Sequence, residues 1–379
     1  MVDSPLLIAG GGIAGLAAAL GLARAGVTSH ILEKAPAFET AGAGIQLGPN
    51  AVRALQYLGA WDAVAPHCVS PEEIHIRDGK SGKILRRVVL GKKFEQRFGA
   101  PYRVAHRADL QNGLLACIRA KSSIHLQTSA EVADVSVAQT LLDLRGGETL
   151  HAPAIIASDG IHSIIRKKIN PASSPNDTGH TLFRALVPTA SIPAAIEANV
   201  VTLWLYPGAH VVHYAVSGST QFNIVASVET RGVNPLQAFR HACAPLVELI
   251  ATQVGWSIWP AYDITPNANW SQNNTLLIGD AAHASLPYLA QGAAMALEDA
   301  CVLSQLVEKD SNYAKAFQKF SALRFNRTRA IQNKSAQLGK IYHARNPLRP
   351  VVGLALRIQP SNLFLSQLAW IYDWRTEIA

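Results

Sequence analysis

Apolar positions run unbroken through Leu6-Leu7-Ile8-Ala9, stop at Gly10-Gly11-Gly12, resume in an alanine- and leucine-rich stretch, and end the first unit at Ile31-Leu32-Glu33. The pattern predicts a buried strand, a glycine turn, a helix and a second strand closed by an acid. A glycine-rich loop over 42–50 then feeds an amphipathic helix. From 72 to 104 the chain changes to short alternating segments, Ile74-His75-Ile76, Lys83 to Val89 and Arg103-Val104, which predict strands of another sheet. A helix over Arg107 to Arg119 follows, then strands near Ile124 to Thr128, Glu131 to Val137 and Thr140 to Leu144, and a buried one at Ala154 to Ala157. Strong alternation returns in Thr202 to Tyr206, His210 to Val216 and Phe222 to Glu229. Leu276-Leu277-Ile278 predicts one more buried strand, with a long helix from Gly292 and further helices to the end.

Each pattern recurs after an interruption, so the expected architecture is interleaved. The fold class is α/β: a Rossmann-like nucleotide-binding domain over 1–71, 105–175 and 267–345, an antiparallel-sheet substrate domain over 72–104 and 176–266, and a C-terminal helical segment over 346–379.

The chemistry of the first unit lies in its spacing. Gly10 permits a tight turn, Gly12 lets backbone N–H groups approach a pyrophosphate, and Gly15 allows close helix–strand packing. Ile13 and Ala14 open the helix, whose positive end faces the phosphates. Glu33, with Lys34 beside it, falls roughly 20 residues on, where a carboxylate reaches an adenosine ribose and repels a 2′-phosphate. The expected nucleotide carries a free ribose, as FAD or NAD does.

Asp159-Gly160 and Gly279-Asp280 end two further apolar strands, and a simple dehydrogenase has no use for them. Three such turns predict one extended cofactor held along its length. With Ala157-Ser158-Asp159-Gly160-Ile161-His162-Ser163, Gly279-Asp280-Ala281-Ala282-His283 and Gln291-Gly292-Ala293-Ala294-Met295-Ala296-Leu297-Glu298-Asp299, the chain resembles the flavin-dependent aromatic hydroxylases over nearly its whole length. That resemblance implies bound FAD, with NADH or NADPH as a transient cosubstrate. It also implies hydroxylation of a small phenolic or hydroxy-heteroaromatic acid by O2 through a flavin C4a-hydroperoxide. Asp159 would support the pyrophosphate region, Asp280 the ribityl chain, and Arg107 the FAD, with Gly44 and Pro287 beside it. Gly292, Ala293 and Ala294 would set a helix N-terminus against the flavin. An Asp before a helix also caps it, and that role stays open for Asp159 and Asp280.

The segment His210-Val211-Val212-His213-Tyr214 resembles the stretch that gives 3-hydroxybenzoate and 6-hydroxynicotinate hydroxylases a histidine and, four residues on, a tyrosine. His210 and Tyr214 inherit those catalytic roles, because a base of near-neutral pKa suits removal of a phenol proton. Gln46 joins them, standing where the hydroxynicotinate enzymes carry a histidine; Gly44-Ile45-Gln46-Leu47-Gly48 looks more like the hydroxybenzoate and salicylate branch. Trp204, His213, Arg184 and Pro287 complete the expected substrate wall.

Composition adds bounds. In 379 residues, 49% hydrophobic and 16% charged content describes a chain with a sizeable core, and the net charge of +8 is scattered without a basic tract interleaved with aromatics. Nucleic acid is not an expected partner; steering of anionic small molecules is. Cys68, Cys117, Cys243 and Cys301 show no metal or redox spacing, so reduced thiols, a cytoplasmic location and no metal are expected. Neither a secretion signal nor a membrane span is read, since the apolar stretches Ile13 to Ala23 and Val351 to Leu356 fall short of about 20 residues. Tyr342-His343 and Tyr372-Asp373-Trp374-Arg375 resemble tails that pack at a domain junction or subunit interface, which leaves a homodimer open. Competing readings are an NAD-dependent dehydrogenase, a non-catalytic flavin-binding sensor, and a flavin reductase of isoprenoid lipids.

Overall fold

The computed structural model describes residues 4–38, 42–252 and 255–376. Its six-stranded sheet runs Ser271–Gln272, Thr275–Leu277, Ile155–Ala157, Leu6–Ala9, Ser29–Leu32, Ile124–Gln127. All neighbours are parallel except the edge strand Ser271–Gln272. Leu7 lies opposite Ile155 on one side and His30 on the other, so the chain order reverses at the first strand. Ligands of such sheets bind at that reversal, beyond the carboxyl ends of the strands. Ala9, Ala157 and Leu277 end three adjacent strands there, which brings the three glycine-acid turns to one edge.

Helix Ile13–Arg24 is apolar almost all round because it is covered on both sides. It packs on helix Gly292–Lys309 so closely that a Cβ at Gly21 would stand 2.6 Å from the Ala300 carbonyl oxygen.

The seven-stranded sheet runs Ser257–Ile264, Pro175–Pro188, Gln221–Val228, Ala209–Val216, Val200–Tyr206, Glu73–Asp78, Ile84–Val89. Pairing is antiparallel apart from Val200–Tyr206 on Glu73–Asp78. Its middle strands are buried on both faces. Trp204, Val211 and Phe222 pack with Phe239, Leu246 and Leu249 on one side; Val201, Tyr214 and Val216 pack with Phe94, Phe98, Tyr102 and Tyr372 on the other.

Arg103–His106, expected in this sheet, pairs instead with Gly44–Leu47 in a two-stranded ribbon, and Gly44–Leu47 itself is a strand rather than loop. Four-residue segments carry an alternation that does not specify their partner. The C-terminal part comprises the 30-residue helix Tyr313–Tyr342 and the helices Leu348–Ile358 and Ser361–Tyr372. The last is fastened by Arg327, which donates to the Trp370 carbonyl (2.8 Å), and by Arg53, which donates to Trp374 (2.7 Å). No described helix is long and apolar enough to cross a membrane.

Candidate active site

The first turn is shaped by what its glycines exclude. Gly10 sits at φ +103°, and a Cβ there would lie 2.5 Å from the Ser158 carbonyl oxygen. A Cβ at Gly15 would lie 2.0 Å from the Gly10 carbonyl oxygen, and one at Gly279 2.7 Å from the Ala14 side chain. Ser158 Oγ donates to the carbonyls of Ala9 and Gly10 (2.9 and 2.8 Å), joining two strand ends. Gly12 differs: nothing lies within 4 Å of a Cβ built on it, and helix Ile13–Arg24 starts there with no side-chain cap. The first N–H groups of a helix have no intrahelical partner, so Ile13, Ala14 and Gly15 present donors and a positive end to open space. That cradle fits a pyrophosphate.

Glu33 accepts from the Gly11 N–H (2.7 Å) and the Ala35 N–H (2.9 Å), which holds its carboxylate at the mouth of the turn; Lys34 is exposed. At the second turn, Asp159 Oδ2 accepts from the Ile164 N–H at 2.9 Å, as a capping residue does, while Oδ1 is buried without a partner. Burial pushes its carboxyl above the usual range, against hydrogen bonds from Ser163 and the helix start. An orphaned carboxylate oxygen at the edge where the turns converge suits a cofactor hydroxyl. At the third turn, Asp280 opens the short helix Asp280–His283 and is exposed. The protein packed around its exposed edge raises its carboxyl and Asp299 adds to the rise, while His283 and Arg107 oppose it. Helix Gly292–Lys309 also begins uncapped, with open space around Gly292, so Gly292, Ala293 and Ala294 offer a second set of free donors.

Behind this turn lies a buried ionic cluster. Asp299 accepts from the Gly279 N–H (2.9 Å), His283 Nε2 (2.7 Å) and Arg324 Nε (2.7 Å). Glu298 pairs with Arg324 (2.8 Å) and Arg327 (2.6 Å) and accepts from Asn50 (2.8 Å). Burial works against both charges, but the arginines and His283 outweigh it and hold both carboxyls below their usual range.

Beside the third turn a cavity of about 560 Å³ is lined by His210, Gln46, Tyr102, Pro287, Gln291, Tyr342 and Tyr372, with apolar walls from Val201, Leu203, Leu289 and Phe364. His210 is buried and its Nδ1 lies 2.7 Å from His343 Nε2, which leaves Nε2 for the cavity. Burial, then His343 and His180, push His210 well below the ordinary imidazole value. Tyr102 donates to Gln46 Oε1 at 2.5 Å. Tyr214 is not in the wall; it reaches the cavity through its hydrogen bond with Gln46, and burial pushes its hydroxyl up against Gln46 and Arg184. Gly44 is a close-approach glycine, its N–H donating to Asn223 Oδ1 at 2.7 Å and a Cβ there meeting the Tyr214 ring at 2.6 Å.

Other expected wall residues stand elsewhere. Trp204 and His213 occupy the far face of the sheet, since alternation opposes them to Leu203 and Val212, and Trp204 Nε1 donates to His213 Nε2 at 2.9 Å. They are core, not pocket. Arg184 stacks 5.7 Å over Trp259, and burial, with Arg107, lowers its guanidinium while Tyr214 raises it. Gln291, not among the expected site residues, accepts from Asn50 through its oxygen (2.8 Å), so that its amide N–H groups are available to a ligand. Its place just before Gly292 was the signal. Tyr102, Tyr342 and Tyr372 had no comparable signal, arriving from segments distant in the chain.

A parallel sheet with three convergent glycine-acid turns, clasped to an antiparallel sheet that encloses a cavity, defines a flavin-nucleotide-binding fold. Residues 3–310 match the model of the FAD binding domain, and the chain belongs to that family. It is 34% identical to the 3-hydroxybenzoate 6-hydroxylase of Polaromonas naphthalenivorans (strain CJ2), across 98% of this chain and 96% of the relative. It is also 34% identical to a 3-amino-4-hydroxybenzoate 2-monooxygenase of Streptomyces platensis, across 97% and 96%. Its fold matches that of Klebsiella pneumoniae HpxO, solved with FAD and uric acid, at a TM-score of 0.85 and 22% identity, covering 97% of both chains. The enzyme is therefore an FAD-dependent monooxygenase.

Proposed function

We propose that this chain hydroxylates a hydroxybenzoate-like aromatic acid, using FAD, NADH or NADPH, and O2. The observation that carries the reading is the cavity beside the third turn, where His210 presents Nε2 within apolar walls. When bound, FAD supplies hydride acceptance and oxygen activation. Gly12, Ile13, Ala14, Gly15, Glu33, Asp159, Asp280 and Gly292 to Ala294 are the residues that would hold it.

The rest is the work of this chain's side chains. His210 Nε2 takes the phenolic proton and so raises the electron density of the ring to be attacked. Gln46, fixed by Tyr102 and tied to Tyr214, orients the substrate oxygen, and Gln291 and Pro287 bound the ring. Val201, Leu203, Leu289 and Phe364 keep water out. Arg107 lies close enough to Asp280 and Arg184 to influence both, and with the positive net charge it favours an anionic substrate. Four unpaired cysteines fit a reducing cytoplasm, and the exposed Leu348, Val351, Leu354 and Ile358 are the surface for a homodimer in this reading.

The test is NADH oxidation by the yellow holoenzyme with and without 3-hydroxybenzoate, with chromatography of the products. Stimulated oxidation with a dihydroxylated product is expected, and His210→Ala should lower product formation on the order of 100-fold while retaining FAD. Stimulation that ends only in hydrogen peroxide, or full product from His210→Ala, would refute it.

A further inference from the structure

His210 poses a chemical difficulty. A buried imidazole held well below its ordinary value is a poor terminal acceptor for a proton. Its Nδ1 meets a second imidazole. It lies 2.7 Å from His343 Nε2; His343 Nδ1 lies 3.1 Å from Glu229 Oε1; and Glu229 reaches the surface, paired at 2.8 Å with the exposed Arg345. Both histidines are buried, and Glu229 is half-buried.

We propose that His343 and Glu229 form, with His210, a proton conduit that carries the phenolic proton from the cavity to solvent. The inference rests on His210 being the base. In the starting state His210 Nδ1–H donates to His343 Nε2, and His343 Nδ1–H donates to Glu229. The substrate O–H bond breaks and its proton joins His210 Nε2, while the oxygen keeps the bonding pair. The Nδ1 proton passes to His343 Nε2, and the His343 Nδ1 proton passes to Glu229 Oε1. Each imidazole changes tautomer and neither is left charged; Glu229 becomes a carboxylic acid and gives the proton to water. Reverse passage reprotonates the product and restores the tautomers.

This explains why low basicity is tolerable: burial depresses His343 too, to about 4, yet no step leaves an imidazolium in the core. The titratable groups facing the conduit are His180, Tyr288, Tyr342 and Arg345. Tyr288 is bonded to His180 (2.5 Å) and Ser227 (3.1 Å), and Tyr342 is in edge contact with His210. His180, Glu229 and His343 also form a cluster whose ligand atoms lie within 4.8 Å of one another, so a divalent cation is the rival occupant.

The experiment mixes oxidised holoenzyme with 3-hydroxybenzoate in a stopped-flow spectrometer and follows the phenolate absorbance across pH, separately from turnover. His343→Gln and Glu229→Gln should slow phenolate formation on the order of tenfold or more, while the pH midpoint of the phenolate formed at equilibrium does not rise. Ligand affinity at high pH should stay unchanged, and added imidazole should restore the rate in His343→Gln. Glu229→Gln, at the rim, decides alone if His343→Gln fails to hold flavin. Wild-type phenolate kinetics in the variants, with His210→Ala impaired, would overturn the conduit and leave the base intact. Unimpaired His210→Ala would remove both. Loss of phenolate formation with a chelator, restored by Zn²⁺, would also overturn the conduit, in favour of a metal centre.

Discussion

The same small substitution three residues apart should have opposite consequences. Gly12 has φ −71°, which alanine adopts freely, and no atom lies within 4 Å of its would-be methyl. Gly12→Ala should cost the flavin-free protein no more than about 1 kcal/mol, the difference between glycine and alanine at a helix N-cap. The methyl would nevertheless stand where a pyrophosphate approaches the backbone, weakening FAD binding by about tenfold or more, each factor of ten being about 1.4 kcal/mol. At Gly15 a methyl would be driven to 2.0 Å from the Gly10 carbonyl oxygen. That atom is backbone at the end of a core strand and cannot swing aside. Gly15→Ala should therefore destabilise the flavin-free chain by about 1–3 kcal/mol, the range for overpacked cores, or more. Thermal denaturation of the flavin-stripped proteins measures the first quantity, and quenching of flavin fluorescence on titration measures the second. A Gly12→Ala protein that melts early but binds FAD normally would show that Gly12 serves packing and not the pyrophosphate, and a Gly15→Ala protein of parental stability would show that the turn yields.

Other outcomes follow from buried groups. His213 is held to about 3 by burial, Arg77 and His75, and His343 to about 4, so both stay neutral in the fold while the unfolded chain protonates them below about 6.5. Stability is thus complete above that pH and falls on acidification by about 1.4 kcal/mol per pH unit for each, a slope that urea unfolding from pH 7 to 4.5 would show or deny. Trp204→Phe removes the donor to buried His213 and should cost about 1–3 kcal/mol by urea unfolding, with 3-hydroxybenzoate affinity unchanged; weakened binding at intact stability would return Trp204 to the pocket. Arg324→Met removes the cation shared by two buried carboxylates, leaving Glu298 to Arg327 and Asp299 to His283, and should lower unfolding free energy by about 3–5 kcal/mol, whereas a neutral result would show that the remaining partners suffice.

Much of the nucleotide-binding edge was legible because backbone geometry demands particular residues there. Gly10, Gly15 and Gly279 are required by contacts under 3 Å, and such demands leave a readable spacing in the chain. Helix Arg107–Arg119 was readable from periodicity alone. The pocket was less so, because its wall depends on which face of a doubly buried sheet looks inward. His210 and Trp204 are both aromatic positions on alternating strands, and nothing local distinguishes cavity from core. Tyr102, Gln291 and Tyr372 meet only through the ribbon, the third turn and the last helix, which are separated by long stretches of chain. Pairing of Gly44–Leu47 with Arg103–His106 was hidden for the same reason.

Glu298, Asp299 and Arg324 are buried and Arg327 is partly so, which makes a group of two negative and two positive charges largely shielded from solvent. Losing any one leaves a buried imbalance, while replacing all of them with apolar side chains of similar volume can be tolerated or even favourable. Descendants of this chain should therefore keep the quartet whole or shed it together, passing rarely through forms with three. Directed evolution from a library that varies these positions jointly would reach alternatives that stepwise mutagenesis does not.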